Sequence, residues 1–73
     1  MGTLQDVKIG RSAIIAKLNG EGAMRRRLLD MGLTKGTEVT VRTVAPWGDP
    51  IESTVRGYEL SIRKEDAALI DIE

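Results

Sequence analysis

The densest cluster of reactive side chains is Arg25-Arg26-Arg27. Consecutive guanidiniums suit an acidic partner or a phosphate, which they hold through charge-assisted hydrogen bonds. Around them the repertoire is narrow. The 73 residues include no His and no Cys, which removes a Ser-His-Asp triad, a Cys-His nucleophile and any Cys/His zinc site. No GxxxxGK[ST] or GxGxxG stretch occurs, and Gly20-Glu21-Gly22 reads as a tight turn rather than an anion cradle. Carboxylates remain: Asp49 with Glu52, and Glu65, Asp66, Asp71 and Glu73. Such groups could hold a hard cation. Iron normally takes at least one imidazole or thiolate, so these acids read as solvated surface. Neither a metal ligand set nor a cofactor is expected, and no enzyme is expected for want of a nucleophile–base pair.

These side chains must be placed by short elements. Ala23 to Met31 reads as the one helix, with Met24, Leu28 and Met31 on a single stripe. Arg25 and Arg26 fall off that stripe, so they form either a solvated face, with Arg26 near Asp30, or a docking patch. Leu29 is also off the stripe, which makes it part of a wide buried face or an exposed contact. Gly32 is the expected left-handed stop, with Leu33 folding back on the last turn. Trp47 lies in a loop framed by Pro46 and Pro50. It either covers the open end of a barrel or serves as an interface anchor, a role in which Trp is over-represented.

The rest of the chain alternates with a strand period. Ser12–Leu18 puts Ile14, Ala16 and Leu18 on one face and Ile15 and Lys17 on the other. Val39 and Val41 alternate with Glu38, Thr40 and Arg42, and the break at Thr43-Val44 predicts a bulge or a strand end. Ile51 to Arg56 and Tyr58 to Ile62 alternate on either side of Gly57; Lys64–Ala67 resembles one helical turn, and Ile70 and Ile72 finish the chain. Thr3 to Asp6 has the pattern of a capped first turn. Five short strands at this spacing predict a mainly β fold, a small barrel or sandwich with one inserted helix, in a single domain.

Composition sets the limits. A chain of this length buries only roughly 60% of the surface it exposes when unfolded, and no disulfide assists it. With no Phe, the core must be aliphatic. Eleven basic residues balance eleven acidic ones, without the basic excess that a nucleic-acid binder shows. The first residues lack the basic and apolar runs of a signal peptide and no stretch reaches membrane-spanning length. The cytoplasm is therefore the expected compartment. Zero net charge also leaves self-association open.

Together these segments carry a resemblance. Residues 22–33, GAMRRRLLDMGL, followed by Thr37-Glu38-Val39, resemble the helix and turn of the FeoA family, ferrous iron transport protein A. Residues 45–51, APWGDPI, and 55–65, VRGYELSIRKE, look like that family's loop and closing hairpin. The resemblance spans nearly the whole chain. It implies an SH3-like barrel and a cytosolic accessory of the membrane ferrous iron transporter FeoB. It also implies kinship with the SH3-like C-terminal domains of iron- and manganese-dependent repressors, and hence an alternative role in sensing a divalent cation through carboxylates. For the accessory role the expected contact surface is the open side of the helix, Arg25, Arg26 and Leu29, with Trp47 as a second candidate.

Overall fold

A computed structural model describes residues 2–73; Met1 lies outside the described residues. The architecture is mainly β. Strands β1 (Ser12–Leu18), β2 (Glu38–Val44), β3 (Ile51–Val55), β4 (Tyr58–Ile62) and β5 (Ile70–Ile72) form one antiparallel sheet ordered β4-β3-β2-β1-β5. Helix α1 (Gly22–Asp30) is inserted between β1 and β2, and the one-turn α2 (Lys64–Ala67) between β4 and β5. A 3-10 turn, Leu4–Asp6, opens the chain; the Asp6 carboxylate accepts from the Thr3 N–H at 3.0 Å and Leu4 is fully buried.

One aliphatic cluster takes residues from every strand, including Ile62 of β4 and Ile70 of β5, which lie at opposite ends of the strand order. The sheet must therefore coil around its core. Two bulges help it, since an extra residue bends a strand and sharpens its twist. The one in β2 lies between Val41 and Thr43, just before the break in alternation at Thr43-Val44. The one in β1 lies between Ile15 and Lys17. It re-phases the strand: Ile15 and Leu18 are buried, while Ile14 and Ala16 are half-buried. The expected face of Ile14, Ala16 and Leu18 is thus corrected, because the bulge puts core positions three residues apart.

On β3 the alternation holds, with Ile51, Ser53 and Val55 buried. The buried Ser53 hydroxyl donates to the Leu60 carbonyl at 3.1 Å, so its polarity is satisfied. Arg56, expected to end that strand, instead forms the two-residue turn with Gly57; both have positive φ, 52° and 86°. The turn's left-handed pair matches the twist of the hairpin. From it the Arg56 guanidinium donates to Thr34 and Thr37 at 3.2 and 3.0 Å, tying the hairpin to the loop after α1.

The helix is thinly anchored. Of the stripe Met24, Leu28 and Met31, only Leu28 is fully buried. Its C-terminus is the firm end. Leu33 N–H donates to Leu28 O and Gly32 N–H to Leu29 O, the paired bonds of a Schellman stop. Gly32 has φ 90°, and a Cβ there would fall 2.5 Å from the Tyr58 hydroxyl. That hydroxyl donates to Met31 O at 2.8 Å, joining β4 to the helix end.

Gly32→Ala is expected to lower unfolding stability by about 2–3 kcal/mol, combining left-handed strain with loss of the tyrosine bond. Gly57→Ala, in open space at φ 86°, should cost only about 1 kcal/mol. Urea denaturation followed by circular dichroism compares them. Equal losses would show that the Tyr58 contact contributes nothing.

Candidate functional site

The three arginines of α1 part company because successive helical residues point about 100° apart. Arg27 turns toward α2, where its Nη2 donates to Asp66 Oδ2 at 2.6 Å. Asp66 is only 2% exposed, and its other oxygen, Oδ1, has no hydrogen-bond partner among the described residues. The same guanidinium reaches Met24 Sδ at 3.5 Å. Arg25 and Arg26 are exposed and form no ion pair among the described residues, Arg26 with Asp30 included. Sequence reasoning missed the Arg27–Asp66 pair, whose partners are 39 positions apart.

Arg25 and Leu29 are brought together. With Ala16, Lys17 and Leu18 of β1 and Lys35 of the following loop, they line a groove of about 390 Å³. Leu29 is half-buried and packs on the core with one side. It is thus both of the things its off-stripe position allowed, a core contact and a partly open surface. Arg26 does not line this groove, and neither does Trp47. A second hollow of about 480 Å³ lies on the other side of Lys35, lined by Thr37, Glu38, Thr40, Thr54 and Arg56 among others. Its one guanidinium is already engaged by the two threonines.

Trp47 is 89% exposed, so it does not cover an end of the sheet. Its loop is nonetheless well bonded: Gly48 N–H donates to Ala45 O at 2.7 Å and Ala45 N–H to Pro50 O at 3.1 Å. Asp49 Oδ1 accepts the first N–H of α2, from Lys64, at 3.0 Å. An apolar ring is thus held in solvent on a fixed turn.

The carboxylates are dispersed into other work. Asp49 holds Lys64, Glu52 accepts from the Ser61 hydroxyl, and Asp66 is paired with Arg27. Among the described residues no three of His, Cys, Asp and Glu gather as a metal site would require. Among the described residues no helix is long and apolar enough to cross a membrane.

Against known proteins, residues 2–73 match the family described as the FeoA domain. The chain belongs to the FeoA family. A curated relative, the Fe(2+) transport protein A/Fe(2+) transporter FeoB fusion protein of Porphyromonas gingivalis, is 39% identical over 70 residues, 96% of this chain. The chain spans only 8% of that fusion protein's length. The solution structure of a FeoA-like protein from Clostridium acetobutylicum superposes with a TM-score of 0.91 at 39% identity, covering 99% of this chain and 84% of that one. The crystal structure of Stenotrophomonas maltophilia FeoA in complex with zinc, described as an SH3 domain protein, gives 0.86 at 25% identity, covering 100% and 91%. The SH3-like fold expected of the family is thereby shown. A manganese-dependent transcriptional repressor shares the fold at 15% identity, TM-score 0.88, over 97% of this chain and 35% of its own. Zinc ordinarily takes imidazole, thiolate or carboxylate ligands. The sequence has no His or Cys, and among the described residues no three acids gather, so these residues do not offer a fitting donor set.

Arg27→Met leaves a buried carboxylate unpaired and is expected to lower stability by about 2 kcal/mol, less than for a fully buried pair because the arginine side chain is 44% exposed. Adding Asp66→Asn should restore part of the loss. Denaturation of all four cycle members measures the coupling, and strict additivity would show the pair to be inert.

Proposed function

We propose that this chain is a docking module that binds the cytosolic part of a FeoB-type ferrous iron transporter and modulates its activity or assembly. The supporting observation is the relative that carries FeoA and FeoB in one polypeptide. Covalent linkage holds two domains at high effective concentration, and a separate FeoA chain must supply the same proximity by affinity. The reading places the protein in the cytoplasm, acting by contact rather than by covalent chemistry, which agrees with a sequence that has neither imidazole nor thiol.

The contact surface is assigned to the open side of α1, Arg25, Arg26 and Leu29, with Trp47 as a second anchor. Both arginines are exposed without an ion pair among the described residues, and Leu29 keeps an open edge. Trp47 offers an apolar ring on a bonded turn, so little conformational freedom is lost when it is covered.

The double variant Arg25→Glu/Arg26→Glu should bind purified FeoB about tenfold more weakly, with a reduced dependence on salt. Its circular dichroism should be unchanged, because neither side chain is buried. Unchanged affinity in a calorimetric titration would remove the helix face as the contact.

A further inference from the structure

We propose that the groove between β1 and α1 receives an extended acidic peptide segment carrying one apolar side chain. The inference rests on the docking reading above and names the chemistry of what is docked.

The first observation is where pairing stops. β1 meets β2 from Ser12 to Ile14, and two further bonds join Ile15 to the chain before β2, Ile15 N–H to Thr37 O and Gly36 N–H to Ile15 O. Its pairing with β5 continues to Leu18. Along Ala16–Leu18 the side turned away from β5 therefore has no strand partner among the described residues. An extended chain adds to such an edge through main-chain bonds, with neighbouring pockets selecting its side chains.

The second observation is what lies beside that edge. The groove there has Ala16, Leu18 and Leu29 as apolar lining and Lys17, Arg25 and Lys35 as cations. No acidic residue lines it, and none of the three cations forms an ion pair among the described residues. Asp71 stands opposite Lys17 in the β1–β5 register without pairing to it. In a chain of zero net charge, three unpaired cations around an apolar strip form a local patch complementary to carboxylates flanking an aliphatic side chain. No aromatic residue lines the groove, so it lacks the stacking platform that single-stranded nucleic acid uses.

The test is an amide NMR titration of the ¹⁵N-labelled chain with the capped peptide Asp-Glu-Leu-Glu-Asp. Saturable shifts are expected at Ala16, Lys17, Leu18 and Leu29. Affinity should fall about tenfold in Lys17→Glu/Lys35→Glu, whose native amide dispersion verifies folding. Absent shifts, shifts confined to other elements, or equal binding of a Lys-Lys-Leu-Lys-Lys peptide would overturn the proposal. So would an oligonucleotide that displaces the acidic peptide at lower concentration. A transporter that binds the wild type and the double variant alike would sink the groove and spare the docking reading. A transporter that binds neither would sink the docking reading, while the peptide titration alone decides the groove.

Discussion

Helix α1 is nine residues long and buries one side chain completely. A helix of that length is marginal in water by itself, so its position is imposed from outside. Three attachments impose it: Leu28 in the core, the Tyr58 hydroxyl on the Met31 carbonyl at the C-terminal end, and the Arg27–Asp66 ion pair to α2. Each comes from a different part of the chain, so the helix is a bridge between the β3–β4 hairpin and the α2 turn. The wall of the groove, Arg25 and Leu29, stands on that bridge.

The same attachments sort the charges. Arg27 is neutralised by a buried carboxylate and Arg56 is held by two threonine hydroxyls, while Arg25, Lys17 and Lys35 are left to solvent beside one another. A protein with no net charge has little long-range field with which to steer a partner. Its patch acts within about a Debye length, roughly 8 Å at physiological salt.

How much of this was legible depends on how local each cause is. The alternation of Val39 with Val41 and of Ile51, Ser53 and Val55 fixed two strands, because period two leaves only one way to face a core. Gly32-Leu33 announced the helix stop, since a left-handed residue followed by an apolar one is a local signature. The break at Thr43-Val44 pointed to a bulge or a strand end, and the bulge lies one residue earlier, between Val41 and Thr43. The β1 bulge had no such break: Ala13-Ile14-Ile15-Ala16 is apolar throughout, and nothing in it marks the extra residue. Of the candidate contacts, Arg25 and Leu29 share one groove, while Arg26 and Trp47 lie outside its lining. That grouping depends on where β1 parts from β2 and on a partner for Arg27 in α2, and no local pattern encodes either.

The exposed indole has an optical consequence. Trp47 is the chain's one tryptophan, and in the folded protein its ring is already almost as wet as in a denatured chain. Emission excited selectively from the indole should therefore change little when the aliphatic core melts and should respond to a molecule that covers the proline-framed turn.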